Sequence, residues 1–378
     1  MLRAMRIGCP SEIKTAERRV GLTPTSVREL VVHGHEVVVE KGAGAGIGAC
    51  DLHYTTAGAS IEPDVERLWA STDMIVKVKE PQAEERARLR PDQILFTYLH
   101  LAPDTAQTED LLASGATCIA YETVTDTHGG LPLLAPMSQV AGRMSIQAGA
   151  SALESPHGGA GLLLGGVPGV PSARVVVIGG GVVGENAIEM AIGLGAQVNV
   201  LARDLDVLGR LARRFGAELE TVYSTTAALE HLVTNADLVI GAVLLRGARA
   251  PKLVTADMVK QMRPGSVLVD VAIDQGGCFE TSRPTTHAEP TFVVDGVVHY
   301  CVANMPGAVP KTSTYALNNA TLPFTLAIAD KGARQALVDD EHLRNGLNVH
   351  RGMLTEREVA DAQGLDYTDP LVALAATG

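Results

Sequence analysis

Short apolar runs alternate with helix-compatible amphipathic stretches almost from the start of the chain. Residues 5–9 read as a strand, 23–32 as an amphipathic helix entered through Thr23-Pro24, and 36–40 as the next strand. Further strand-like runs fall at 74–78, 94–99 and 117–121, each separated by helix- or turn-compatible sequence. This β-α-β order predicts a parallel sheet covered on both faces. Near residue 130 the pattern breaks. Gly129-Gly130-Leu131-Pro132 reads as a turn, and a helix rich in Ala and Gly is expected from Ser138 toward Leu153, linking two domains. A Gly/Pro-rich loop at 165–171 then leads into Arg174-Val175-Val176-Val177-Ile178, a β-branched strand. Runs at 197–201, 237–242, 267–273 and 291–294 extend a second sheet. Helices at 315–329 and 334–338 follow Pro306 and Pro310 and are expected to pack back on the first domain. The expected fold class is α/β, with two doubly wound parallel-sheet domains: residues 1–132 plus 311–378, and residues 133–310.

Composition narrows the class. At about 150 residues per domain, 378 residues agree with two domains. Hydrophobic residues are 46% and charged residues 20%, as in ordinary globular chains. Lys plus Arg number 31 against 43 for Asp plus Glu, a net charge of −12, which is the wrong sign for a nucleic-acid partner. Cys9, Cys50, Cys118, Cys278 and Cys301 are scattered and form no C-x-x-C pair. Neither a disulfide framework nor a zinc site is indicated, no metal is called for, and reduced intracellular thiols are expected. The apolar region 160–202 is interrupted by Pro168, Pro171, Arg174, Glu185 and Glu189, short of the ~20 apolar residues of a membrane span. Arg3 and Arg6 are followed by Ile7-Gly8-Cys9-Pro10, without the apolar core of a secretory signal, so a cytoplasmic location is expected.

Glycine is frequent, at 39 residues, and one group of glycines has a specific order. Gly179-Gly180-Gly181-Val182-Val183-Gly184 fits G-x-G-x-x-G directly after the 174–178 strand and before a helical run containing Ala187, Ile188 and Ala191. In a Rossmann-like unit Gly179 permits the tight turn, Gly181 lets backbone approach a pyrophosphate, and Gly184 lets helix and strand pack closely. About 20 residues on, an Asp or Glu would accept hydrogen bonds from the adenosine ribose of NAD. Here Ala202 stands at the expected strand end, and Arg203 offers a planar fork suited to a 2′-phosphate, which favours NADP. Asp204 or Asp206 could instead supply the acid if the strand ended later.

Three strand ends carry candidate chemistry. Lys77 and Lys79 share one face of the 74–78 strand and its continuation, and either could bind an anionic substrate. His100 follows the 94–99 strand, at the edge of an open α/β sheet where ligands usually sit. Asp270 lies within the 267–273 run and Asp274 directly follows it, beside Gln275-Gly276-Gly277.

These motifs together resemble the alanine dehydrogenase family, itself similar to the nucleotide-binding part of proton-translocating transhydrogenase. The resemblance runs from about residue 5 to at least 329. It is carried by Lys14 to Arg19-Val20, Val76-Lys-Val-Lys-Glu-Pro81, Thr97-Tyr-Leu-His-Leu101, Leu133-Leu-Ala-Pro-Met-Ser138, Ile273-Asp-Gln-Gly-Gly277 and Tyr300-Cys-Val-Ala-Asn-Met-Pro306. It implies that Arg19 and Lys79 bind the substrate carboxylate and carbonyl, and that His100 and Asp274 handle protons. It selects Lys79 over Lys77 and Asp274 over Asp270. It further implies that Ser138, Ser224, Val243, Leu244, Val302 and Met305 line the cofactor site, with Asn304 near the reacting carbon.

The implied activity is reversible oxidative deamination of L-alanine to pyruvate and ammonia in a cleft between the domains, with NADP or NAD, by a homo-oligomer, commonly a hexamer. Arg19 is expected to pair bidentately with the substrate carboxylate. The family's ribose acid falls at Ala202 in this chain, a departure that supports NADP. A relative acting on another oxo acid or imine is the nearest alternative. A nucleotide-binding module without amine chemistry is the alternative from another class.

Overall fold

The computed structural model describes residues 4–243 and 250–376, which divide into two compact units, residues 1–137 with 309–378 and residues 138–308. The division falls inside the helix Ala135–Ala152, a few residues beyond the turn from which a boundary at 132 is expected.

In the first unit the parallel strands are β1 (Arg6–Cys9), β2 (Glu36–Glu40), β3 (Ser60–Glu62), β4 (Met74–Val76), β5 (Ile94–Thr97) and β6 (Thr117–Ala120). In the second unit they are β7 (Arg174–Ile178), β8 (Gln197–Ala202), β9 (Leu219–Tyr223), β10 (Leu238–Gly241) and β11 (Val267–Asp270), with β12 (Thr291–Val294) and β13 (Val297–Tyr300) completing the sheet. β14 (Leu347–His350) and β15 (Met353–Leu354) return to the first unit. The first sheet has the order β15-β14-β6-β5-β4-β1-β2-β3, and the second β12-β13-β11-β10-β7-β8-β9.

Both sheets are predominantly parallel, but each ends in an antiparallel edge that the apolar pattern did not announce. β14 runs antiparallel to β6 and β15, and β12 runs antiparallel to β13. The β12–β13 hairpin turns at Asp295-Gly296, both at positive φ, the backbone that an Asp-Gly turn favours. β9 was also absent from the expected strands: its sequence, Leu-Glu-Thr-Val-Tyr, mixes polar and apolar positions as an edge strand does.

Alternation along β7 shows why the second sheet is covered twice. Val175 and Val177 join one apolar cluster with Ile188, Ala191 and Leu211, whereas Val176 and Ile178 join another with Val233, Val259 and Phe279. In the first unit Ile75, Leu95 and Cys118 pack with Leu68, Trp69 and Leu111. The helix Pro310–Lys331 belongs to this unit: Asn318 accepts the Thr23 N–H at 2.8 Å and donates to the Gly21 carbonyl at 3.0 Å. No helix among the described residues is long and apolar enough to cross a membrane.

Candidate functional site

Three parallel neighbours place three side chains at one sheet edge. Val76 of β4 pairs with Phe96 of β5, and Thr97 of β5 pairs with Ala120 of β6. The chain beyond each strand therefore leaves the sheet on the same side, carrying Lys79, His100 and Glu122. β4 and β5 stop at Val76 and Thr97, shorter than expected, so both lysines and His100 lie on the loops that follow rather than on the strands.

The two lysines have different surroundings. Lys77 is fully buried, with Nζ 2.6 Å from Glu85 and 3.1 Å from Glu12. Burial alone would favour loss of its proton, but the two carboxylates outweigh it and hold the ammonium above its ordinary value. Lys79 keeps 15% of its side chain exposed, near Glu80, and its backbone carbonyl is fastened to β5 by the Thr97 hydroxyl at 2.9 Å. Glu80, beside Lys79 and bonded to Lys14, is held below its usual range despite partial burial.

Arg19 is buried on the segment after β1. Its Nε donates to Glu17 Oε1 at 2.7 Å, its Nη2 to Oε2 at 2.6 Å, and its Nη1 reaches Met137 Sδ at 3.0 Å. Burial opposes the charge, yet the Glu17 hydrogen bonds and charge raise the guanidinium above its ordinary value. The Nε–Nη2 edge, the geometry suited to a second carboxylate, is occupied by Glu17.

His100 has φ +51°, the left-handed region, and its side chain is 46% exposed. Its ring stacks on Tyr98 with centroids 5.7 Å apart, and the buried Tyr98 is itself anchored by a 2.6 Å bond from its hydroxyl to the Leu133 carbonyl. The Glu122 carboxylate accepts the His100 backbone N–H at 2.5 Å and the Leu99 N–H at 3.1 Å.

In the second unit the glycine turn divides its labour in space. A Cβ on Gly179 would lie 2.6 Å from the Ala242 carbonyl oxygen, and one on Gly184 would lie 1.9 Å from the Gly179 carbonyl oxygen. Those positions need glycine for packing, and Gly179 also for its φ of +107°. A Cβ on Gly181 would meet nothing within 4 Å. Gly181 caps the helix Val182–Gly193 without a side-chain hydrogen bond, which leaves open space over first-turn N–H groups. That arrangement fits the pyrophosphate of a dinucleotide.

β8 ends at Ala202, and Arg203 beyond it is exposed. Asp204 is committed to capping the helix Leu205–Phe215, its carboxylate accepting the Asp206 N–H at 2.8 Å and the Val207 N–H at 3.2 Å, while Asp206 lies exposed in the first turn. Ser224 donates its N–H to the Ala202 carbonyl at 3.0 Å, which sets it beside the same strand end. Ser138 lies in the first turns of the helix Ala135–Ala152, Val243 follows β10, and Leu244 lies outside the described residues.

Asp274 is not at a strand end. β11 stops at Asp270, and Asp274 is exposed on the short 3-10 turn Ile273–Gln275. Asp270 is buried and accepts N–H groups of Ala272, Cys278 and Phe279 and the Ser282 hydroxyl, the last at 2.6 Å. The loop 271–282 thus folds round one carboxylate and presents the other outward. Val302 and Met305 are buried, whereas Asn304 between them adopts φ +58° and its carbonyl faces His287 Nε2 at 3.2 Å. Among the described residues no group of three His, Cys, Asp or Glu side chains is arranged to hold a metal ion.

Sequence reasoning missed Glu17 and Glu122. Glu122 was detectable in principle, because it follows the strand next to the one that ends before His100.

Two family patterns cover most of the chain: "Alanine dehydrogenase/PNT, N-terminal domain" matches residues 8–141 and "Alanine dehydrogenase/PNT, C-terminal domain" matches residues 145–357. The chain is 64% identical over 365 residues to alanine dehydrogenase of Halomonas elongata, covering 97% of this chain and 98% of that protein. It is 53% identical over 371 residues to alanine dehydrogenase of Mycolicibacterium smegmatis, covering 98% of this chain and 100% of that one. A solved L-alanine dehydrogenase superposes with a TM-score of 0.92 at 53% identity, covering 95% of this chain and 99% of that structure.

Proposed function

The chain belongs to the alanine dehydrogenase family of nicotinamide-dependent amino-acid dehydrogenases, and on that premise we propose that it interconverts L-alanine with pyruvate and ammonia. The observation that carries this reading is the sheet edge of the first unit, where Lys79 and His100 follow adjacent parallel strands and Arg19 lies on the segment after β1. A bound nicotinamide supplies hydride transfer to and from the substrate Cα. Everything else falls to side chains of this chain.

Arg19 is assigned to the substrate carboxylate, and Glu17 fixes the plane of its guanidinium. Lys79 stabilises negative charge on the carbonyl or carbinolamine oxygen as it develops. Once Cα is oxidised, water adds to the imine. His100 and Asp274 take and return the protons as the carbinolamine collapses to pyruvate and ammonia, and reductive amination retraces these steps. Asn304 is assigned to the substrate. Gly179, Gly181, Gly184, Ala202, Arg203, Ser224, Val243, Val302, Met305 and Ser138 are assigned to the dinucleotide, with Leu244 and Asp274.

NADP is the proposed cofactor of preference. β8 ends in Ala202, Asp204 is engaged as a helix cap, and exposed Arg203 offers a planar positive charge suited to a 2′-phosphate. A homohexamer, on family resemblance alone, and a cytoplasmic location, from the scattered cysteines and the polar start of the sequence, complete the proposal. The deciding experiment titrates NADH and NADPH separately against pyruvate and ammonia. Ammonia-dependent oxidation with the lower KM for NADPH is expected. No oxidation with either would end the alanine reading, and a lower KM for NADH would end the NADP preference.

A further inference from the structure

His100 occupies a backbone conformation that side-chain-bearing residues adopt at a cost, with φ +51°. It sits three residues past β5, where the sheet ladder no longer holds it. What holds it is Glu122, two residues past the neighbouring strand β6, on the short turn Tyr121–Thr123. One oxygen of that carboxylate, Oε1, receives the His100 N–H at 2.5 Å and the Leu99 N–H at 3.1 Å, with Oε2 3.2 Å from the latter. The same Oε1 lies 3.8 Å from His100 Nδ1, too long for a hydrogen bond but close for a charge. The Glu122 side chain is only 15% exposed, so its charge is less screened than that of a surface carboxylate. The ring also stacks on Tyr98, the planes 6° apart.

We propose that Glu122 is the positioning residue of the proton-handling histidine: it stabilises the left-handed turn at His100 through two backbone N–H groups and draws the imidazole proton to Nδ1, leaving Nε2 to exchange protons with substrate. The inference rests on the reading of His100 given above and deepens it. Two features separate this role from ordinary loop packing. The carboxylate serves the backbone of the histidine itself, and it lies on the Nδ1 side of the ring. Among the described residues, Glu122 is close enough for its charge to act on Glu356 and Tyr98, and Arg19 acts on Tyr98.

The test is a double-mutant cycle on the full-length enzyme, with kcat and KM for pyruvate measured for His100→Asn, Glu122→Ala and Glu122→Gln, and for each Glu122 change combined with His100→Asn. His100→Asn is expected to lower kcat by about 10² to 10⁴. Glu122→Ala is expected to lower it by about 10 to 10² with KM little changed, and Glu122→Gln, which keeps an acceptor oxygen, to fall between Glu122→Ala and the parent. In the His100→Asn background neither Glu122 change should lower kcat further, because the group it positions is gone. Should Glu122→Ala fail to fold, the Glu122→Gln arm carries the cycle. Parent kcat in both Glu122 variants beside an impaired His100→Asn overturns this inference alone, as does a double-mutant loss equal to the product of the single losses. An unimpaired His100→Asn overturns the reading of His100, and this inference with it.

Discussion

Arg19 and Glu17 form a closed, buried, two-point ion pair between residues only two apart in sequence, Nε to Oε1 at 2.7 Å and Nη2 to Oε2 at 2.6 Å. Glu17 Oε1 also accepts the backbone N–H of Arg19 at 3.0 Å, so the segment wraps on itself and presents the guanidinium in one orientation. Removing one partner takes away the carboxylate or guanidinium that balances a buried charge at two points. Glu17→Ala should therefore lower unfolding stability by about 3 to 5 kcal/mol, read as a lower urea midpoint, and should raise KM for pyruvate. A parent midpoint would show that Glu17 does not support Arg19.

Lys77 and Lys79 should separate cleanly under mutation. Lys77→Ala strands Glu12 and Glu85 in the core and is expected to cost about 3 to 5 kcal/mol of stability. Lys79→Ala should keep the parent urea midpoint and reduce kcat by about 10² to 10³, the scale of losing one donor to developing oxygen charge. The reverse pattern would reassign the lysine.

Asp274→Asn should lower turnover by about 10² to 10⁴, a far larger effect than any loss of cofactor affinity, since the side chain is exposed on a turn whose fold is held elsewhere. Asp270→Asn should disturb the loop itself, because several donors converge on that carboxylate. Equilibrium dialysis of the nucleotide alongside turnover distinguishes the two. Near-parent turnover in Asp274→Asn would remove its proton role.

Arg203→Ala should weaken NADPH by about 10-fold or more and leave NADH nearly unchanged, because only the former would lose a charge-assisted phosphate contact. Fluorescence titration of each nucleotide reads this directly. Equal weakening of both would defeat the argument from Arg203.

Glu356 introduces a pH dependence of stability. Burial raises its carboxyl from 4.5 to about 7, against the pull of the Glu358 N–H and with help from the charges of Glu358 and Glu122. The unfolded chain releases this proton near 4.5, whereas the folded chain keeps it until about 7. The stabilising contribution is complete at low pH and is lost as pH rises through that window. Urea midpoints measured at pH 5 and pH 8 should differ less for Glu356→Gln than for the parent. An unchanged difference would contradict the shift.

The order of elements and the glycine turn were legible because both follow from local rules. Strand period, β-branched runs such as 174–178 and the spacing Gly179-Gly181-Gly184 depend on residues within a few positions of one another. Strand lengths were less legible. The apolar run 94–99 continues past the last ladder pair at Thr97, since apolar side chains such as Leu99 also line the loop beneath the sheet edge. The antiparallel edges were missed because a parallel and an antiparallel neighbour ask for the same side-chain alternation.

The sequence by itself set out the candidates for the proposed chemistry: an arginine after the first strand, a lysine and a histidine after two later ones, an aspartate beside paired glycines and a glycine turn before a helix. Only the tertiary structure decided their company. Glu12 and Glu85 neutralise Lys77 and leave Lys79 as the lysine near solvent, Glu17 orients Arg19, Asp270 organises the loop that exposes Asp274, and Glu122 meets His100 because β5 and β6 are neighbours. Charges and hydrogen bonds act over a few ångströms of space, and sheet order, not chain distance, sets which groups come that close.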